Sequence, residues 1–174
     1  MPAHVEIKAR IPTVEALLPR AQALTDGEDH AQLIHQDDSF FTVPHGRLKL
    51  RVFPDGTGEL IQYQRSDVDG PKRSEATIAE VSEPDSLRDV LERACGLLGR
   101  VRKTRILVLV GPARIHLDRV EGLGDFLEIE VALVDGQSDA EGRETARSLM
   151  HALGVDDSAL VSGSYLDLVR DAAA

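Results

Sequence analysis

Charged and aliphatic residues alternate one for one in several separate stretches of this chain, and that alternation limits its folds more than any other feature. In Phe126-Leu127-Glu128-Ile129-Glu130-Val131 the period is two, which predicts a β-strand carrying Glu128 and Glu130 on one face and Leu127, Ile129 and Val131 on the other. Val5 to Arg10 repeats the pattern, with Glu6, Lys8 and Arg10 opposite Val5, Ile7 and Ala9. Arg47 to Val52 places Arg47, Lys49 and Arg51 opposite Leu48, Leu50 and Val52. Lys103-Thr104-Arg105-Ile106 and His116-Leu117-Asp118 continue it. Together these stretches predict a sheet with one strongly charged face, cationic on some strands and acidic on others.

Along the chain, strands are predicted at 4–11, 34–43, 47–53, 59–65, 74–81, 101–110, 115–120 and 126–134. Helices are predicted at 14–24, 85–98, 139–153 and 162–171. Thr13 is placed to cap the first helix, which Pro19 should kink or delay. Gly99 and Gly154 supply stops for the second and third. The turns Pro44-His45-Gly46, Pro54 to Gly58, Gly111-Pro112 and Glu121 to Gly124 are short, as antiparallel neighbours require. Eight antiparallel strands can close into a barrel, which removes sheet edges. No repeat or linker interrupts the 174 residues, so one domain over 1–174 is expected.

Hydrophobic residues at 42% suffice for a core, and with aromatics at 3% and no Trp it must be aliphatic. A net charge of −10 argues against nonspecific nucleic-acid binding and against attraction to an anionic membrane. No apolar run reaches the ~18 residues of a membrane span, and no signal peptide is evident, so a cytoplasmic protein is expected. Cys95 stands alone, which excludes an internal disulfide, and is expected as a small buried residue in a helix.

A charged strand face ordinarily meets solvent. Here the charges are segregated by sign, and the amphipathic helices need apolar surface to cover. Both favour the inverted arrangement, with aliphatic faces outward beneath helices and charged faces lining a wet interior. A ring of cations would repel itself there unless an anion of high charge density occupied it, with metal ions bridging that anion to the acids.

The residues that carry this arrangement resemble the CYTH superfamily, the triphosphate tunnel metalloenzymes, which includes class IV adenylyl cyclases and thiamine triphosphatases. The matching pieces are His4-Val5-Glu6-Ile7-Lys8, Gly46-Arg47-Leu48-Lys49-Leu50-Arg51, Lys103-Thr104-Arg105, the run from His116 to Glu130, and Ser164-Tyr165-Leu166-Asp167-Leu168. They span essentially the whole chain, and the His116–Glu130 run is most similar to the cyclase branch. The resemblance implies an α+β fold: a closed eight-stranded antiparallel β-barrel with a charged interior, a triphosphate tunnel, and helices packed outside. One departure stands out. The family's opening motif is Glu-x-Glu-x-Lys, and His4 occupies the place of the first Glu. Histidine ligates divalent metals, but Mg²⁺ prefers oxygen.

Carried over residue by residue, the resemblance implies that Lys8, Arg47, Lys49, Arg51, Lys103 and Arg105 bind a triphosphate, with Lys8, Arg51, Lys103 and Arg105 acting in catalysis. Arg65 joins them if it shares a face with Glu59, Ile61 and Tyr63, although a bulge would turn Gln64 inward instead; Lys72 is a further candidate near a loop. Glu6, Asp118, Glu128 and Glu130 are the implied ligands of Mg²⁺ or Mn²⁺. The bland alternative for Glu128 and Glu130 is a solvated face or ion pairs with facing cations. His116 reads equally as a core or hydrogen-bonding residue. Glu121 and Asp125 are expected at the surface, and His30, His35, His45 and His151 show no ligand spacing.

The leading activity by resemblance is a class IV-type adenylyl cyclase converting ATP to cyclic AMP and pyrophosphate. Its rivals are a triphosphatase acting on inorganic, thiamine or nucleoside triphosphate, and a non-catalytic nucleotide or polyphosphate sensor, which His4 favours. The expected partner is a triphosphate-containing small molecule, with no nucleic acid and no membrane; a homodimer is compatible with the resemblance.

Overall fold

A computed structural model describes residues 4–27, 31–65 and 72–174; at 65 and 72–74 the description covers the backbone alone. The elements run β1 (His4–Arg10), α1 (Val14–Ala23), β2 (Gln32–Phe41), β3 (Arg47–Val52), β4 (Gly58–Arg65), β5 (Lys72–Val81), α2 (Pro84–Cys95), β6 (Leu97–Val110), β7 (Ala113–Val120), β8 (Gly124–Ala132), α3 (Asp139–Ala152), a 3-10 turn (Asp157–Ala159) and α4 (Tyr165–Ala173). This is an α+β fold built on one antiparallel sheet of eight strands.

The hydrogen-bonded order is cyclic, β1-β5-β4-β3-β2-β6-β7-β8. On one side β1 pairs with β8 along its whole length, from His4–Ala132 to Arg10–Phe126. On the other it meets β5 only through His4–Ser74, Val5–Arg73 and Glu6–Lys72. The predicted barrel is thus a strongly curved sheet whose two ends touch along a short seam, not a wall of uniform depth.

The apolar faces point outward, as the alternation predicts. Ile7, Ala9, Ile115, Leu117, Leu127, Ile129 and Val131 pack with Val14, Leu17 and Ala21 of α1 and with Ala146 and Met150 of α3. Burial of each large aliphatic side chain contributes about 1.5–3 kcal/mol, so this convex layer dominates the stability. Thr13 caps α1 through its hydroxyl, and a Ser138–Glu141 capping box opens α3. Pro19 lies inside α1 without delaying its start at Val14.

Several boundaries differ from expectation, most of them by about two residues; those around α2, β6 and α4 have a clear cause. Helix α2 stops at Cys95, where Gly96 turns with φ +82°, and β6 starts at Leu97 instead of 101. The reason is strand pairing: Phe40 and Phe41 continue the ladder onto Gly99 and Leu97 across a bulge, and those bonds prevail over the helical pattern. Helix α4 begins at Tyr165, not 162, because Ser164 is its cap. Cys95 is half-buried, since α2 packs lightly; Pro84 is its only buried residue and Val90 is 59% exposed.

One glycine is fixed by geometry. Gly46, at φ +64°, turns the chain into β3, and a Cβ there would lie 2.6 Å from Gln62 Nε2 and 2.7 Å from the Tyr63 carbonyl. The tight turn sets the register that points Lys49 and Arg51 inward.

Because Leu127 is fully buried in the convex layer, Leu127→Ala should lower the unfolding free energy by about 2–5 kcal/mol in a urea titration. Val90→Ala should change it by less than about 0.5 kcal/mol.

Candidate functional site

The inner face of the sheet gathers its charges around buried carboxylates. Asp38 on β2 is 1% exposed. It accepts two hydrogen bonds of 2.8 Å from Arg51 Nε and Nη2 and one of 3.0 Å from Lys49 Nζ, and Lys103 Nζ lies 3.8 Å away. Burial alone would raise its pKa, but Lys49, Arg51 and Lys103 hold it well below the usual carboxylate range. The lysines bear the opposite burden. Burial and the neighbouring Arg51 push Lys49 down to about 8, against the pull of Asp38. Burial also pushes Lys103 down to about 7; Asp38 opposes the shift, while Arg105, Arg51 and Lys49 add to it.

A second cluster joins β1, β6, β7 and β8. Arg105 forks onto Asp118 with two bonds of 2.7 Å and donates a third of 2.6 Å to Glu128. Lys8 Nζ lies 3.3 Å from the other Glu128 oxygen and donates to the Gly163 carbonyl at 3.1 Å. His116 approaches Glu128 to 3.8 Å, and burial together with Arg105 lowers its pKa, which keeps the ring neutral. Burial would raise Glu128, yet Lys8, the His116 contact and Arg105 hold it well below the carboxylate range. Asp118, fully buried, is likewise lowered by Arg105 despite its burial.

Tyr165 of α4 completes this cluster. Its hydroxyl donates to Asp118 at 2.8 Å, and its ring carries the Lys8 ammonium 4.0 Å from the centroid and Lys103 at 5.4 Å. Burial and then the charges of Glu128 and Asp118 raise its pKa well above the usual phenol range, so it remains a donor. With Phe40, Val101, Val120, Phe126 and Leu166, Tyr165 forms an apolar plug against one end of the inner face. Arg47 serves this end too, pairing with Asp167 of the α4 capping box at 3.2 Å.

The sequence-predicted residues therefore divide. Lys8, Lys49, Arg51, Lys103 and Arg105 converge with Glu128 and Asp118, whereas Arg47 is engaged at the plug. Arg65 and Lys72 lie outside the residues whose side chains are described. Glu6 and Glu130 face each other across β1 and β8. His4 comes to 4.0 Å from Glu6. Asp125, expected at the surface, binds Arg119 and the Val14 amide and so fastens α1.

Asp38 and Tyr165 were not among the predicted site residues. Counting back in twos from Phe40 would have placed Asp38 and Gln36 on its face. Tyr165 lies in the Ser164–Leu168 piece that carries the resemblance, but no role was read for it, because it reaches the site only where α4 folds back over β6. A cavity of about 540 Å³ is lined by Gln36 and Lys103 together with His35, Asp37, Phe53 and Arg102 among others, and so adjoins the inner-face cluster, although Asp38, Asp118 and Glu128 do not line it.

Among the described residues no three His, Cys, Asp or Glu side chains are gathered into a ready cage. Glu128 and Asp118 spend their oxygens on Arg105, Lys8 and Tyr165. Glu6 and Glu130 are register partners across β1 and β8, and a hard cation such as Mg²⁺ needs only one or two protein carboxylates when ligand oxygens and waters fill the remaining positions.

Comparison with known proteins places this geometry. The CYTH domain model matches residues 3–165. The chain belongs to the CYTH domain family. Adenylate cyclase CyaB of Aeromonas hydrophila is 26% identical over 173 residues, covering 95% of this chain and 87% of that protein. A protein of Pyrococcus horikoshii OT3 superposes with a TM-score of 0.81 at 22% identity, covering 95% of this chain and 98% of its own. A candidate adenylate cyclase from Vibrio parahaemolyticus gives 0.78 at 23% identity, with 97% and 98% covered. These structural likenesses speak for the fold. No helix among the described residues is long and apolar enough to cross a membrane.

Removing Asp38 strands three buried cations, so Asp38→Ala should cost about 3–5 kcal/mol at pH 7. The carboxyl is depressed in the folded state, so its stabilisation is complete above the ordinary carboxylate pKa of about 3.9 and is lost as pH falls below it. Urea titrations at pH 7 and pH 3 should show the wild-type advantage shrinking at the lower pH; a constant difference would mean that Asp38 does not ionise as described.

Proposed function

We propose that this CYTH protein is a metal-dependent enzyme acting on a triphosphate held on its inner face, and that it is a class IV-type adenylyl cyclase. The observation that carries the reading is the convergence of Lys8, Lys49, Arg51, Lys103 and Arg105 on one enclosed face. The likeness to adenylate cyclase CyaB over nearly the whole chain favours cyclisation over hydrolysis.

Charge decides what the site can accept. The five cations already face Asp38, Asp118 and Glu128, and Glu6 and Glu130 bring further negative charge nearby. A triphosphate added alone would leave a large excess of negative charge. Mg²⁺ or Mn²⁺ on Glu6 and Glu130 supplies the compensating positive charge and polarises the phosphate oxygens. Arg51 and Arg105, steered by Asp38 and Asp118, offer planar forks to phosphate oxygens, and Lys8 and Lys49 act as point charges.

In the cyclase reaction the ribose 3′-oxygen attacks the α-phosphorus, the bond from that phosphorus to the bridging oxygen breaks, and pyrophosphate leaves on the cations. The 3′-hydroxyl proton needs an acceptor. Asp38 and Glu128 are poor ones, being held far down in pKa by their cations. Lys103 is protonated once a polyanion is bound, so the proton leaves to water at the site.

Two tests follow. Incubation with ATP and Mn²⁺, with product analysis, should yield cyclic AMP and pyrophosphate; orthophosphate would instead identify a triphosphatase, and binding without turnover a sensor. Glu130→Gln should lose most metal-dependent turnover with little change in melting temperature. Rates equal to wild type across a Mn²⁺ titration would remove Glu130 from the metal site.

Binding should also take up protons. Lys49 and Lys103 are depressed to about 8 and 7 in the free protein, and a polyanion raises both. At pH 8, binding of inorganic tripolyphosphate should therefore absorb roughly one proton, measured by calorimetry in buffers of different ionisation enthalpy. Affinity should fall as pH rises through this range, after allowance for the ligand's own titration. Lys103→Arg, which stays charged, should remove much of the uptake.

A further inference from the structure

On β2 the residues facing inward with Asp38 are Phe40 toward the plug and Gln36 away from it. Gln36 is 8% exposed, and its Oε1 is buried with no hydrogen-bond partner among the described residues. Its register partner on β6 is Lys103. Gln36 thus adjoins the phosphate-binding cations on the side opposite the aromatic plug, where the rest of a bound triphosphate must extend. A buried amide oxygen left unsatisfied costs about 1–3 kcal/mol, so the position calls for a partner.

We infer that Gln36 reads the non-phosphate part of a nucleoside triphosphate, accepting a hydrogen bond from one of its hydroxyl or amino groups. The inference rests on the triphosphate reading above and adds a specificity determinant to it. Among the described residues, the other polar groups around Lys49, Arg51, Lys103 and Arg105 are mainly cationic donors and the carboxylates they hold, with the Tyr165 hydroxyl donating to Asp118 and His116 beside Glu128. Ionised phosphate oxygens only accept, so a phosphate chain cannot satisfy another acceptor. A partner for Oε1 has to carry O–H or N–H, as ribose and a nucleobase do and inorganic triphosphate does not. A site built to meet such a donor discriminates strongly against a ligand that lacks it.

The test compares two probes in Mg²⁺: inorganic tripolyphosphate and adenosine 5′-(α,β-methylene)triphosphate, whose α–β linkage cannot be cleaved in the cyclase step. Gln36→Met keeps the length of the side chain and removes the acceptor; Gln36→Leu serves the same comparison if that variant does not fold. Calorimetry should show nucleotide affinity falling about tenfold, the loss of one buried hydrogen bond, with tripolyphosphate affinity unchanged within about twofold. Equal losses for both probes would mean that the amide serves the phosphates or Lys103, and would overturn the inference. Unchanged nucleotide affinity would overturn it as well, leaving Oε1 to water. Failure of the wild-type protein to bind tripolyphosphate would overturn the triphosphate reading itself, whereas normal tripolyphosphate binding with an indifferent Gln36 would overturn only the present inference.

Discussion

Charge taken out of water has to be neutralised where it sits, and the inner face of this sheet depends on that constraint. Asp38 meets Arg51, Lys49 and Lys103, while Asp118 and Glu128 meet Arg105 and Lys8. None of these ions would be tolerated singly; desolvation costs several kcal/mol per ion, and only a matched partner offsets it. The pairs therefore come as sets, each drawn from strands far apart in sequence. Asp38 and Arg51 belong to adjacent β2 and β3, but Lys8 and Glu128 join the first strand to the last. The charge network and the strand order specify each other.

Two interiors follow from one sheet. The convex side carries the aliphatic core against α1 and α3, and supplies the nonspecific stabilisation. The concave side is ionic and supplies geometry. The aromatic residues, few as they are, collect at the junction: Phe40, Phe126 and Tyr165 seal one end of the ionic face, and the Tyr165 hydroxyl crosses from the apolar plug to Asp118. Helix α4 thus reaches the site directly, and its Asp167 also binds Arg47. Arg47, read as a phosphate ligand from its strand, thus also holds that helix.

Period-two alternation was sufficient to find the strands, their polarity and the inward direction of Lys49, Arg51, Glu128 and Glu130, because side-chain direction in a strand is set locally. Asp38 escaped because its neighbour Asp37 is also acidic, so that only counting in twos from Phe40, and no change of charge along the strand, marks the inward one. The alternation was insufficient for Tyr165, whose role depends on where α4 docks. The boundary between α2 and β6 also escaped, since Leu97 and Leu98 fit a helical stripe as well as a strand and only the pairing with Phe40 and Phe41 decides. The prediction that unopposed cations would repel one another was incomplete for the same reason as the Asp38 omission: the counter-charge sits on a strand whose inner face was not assigned.

That counter-charge alters how the site must work. An empty cationic ring would attract any polyanion and hold it too tightly to release. Here Asp38, Asp118 and Glu128 already occupy the strongest donors, so an incoming phosphate competes with carboxylates for each guanidinium and ammonium. The same competition explains why the proposed metal is needed. Without added positive charge, phosphate and carboxylate would contend for too few cations. With Mg²⁺ or Mn²⁺ on Glu6 and Glu130, both sets of anions can remain in place, the carboxylates orienting the arginines and the arginines orienting the phosphates. Of the acids read in sequence as metal ligands, Glu128 and Asp118 are bonded to cations of the inner face, while Glu6 and Glu130 are register partners on β1 and β8.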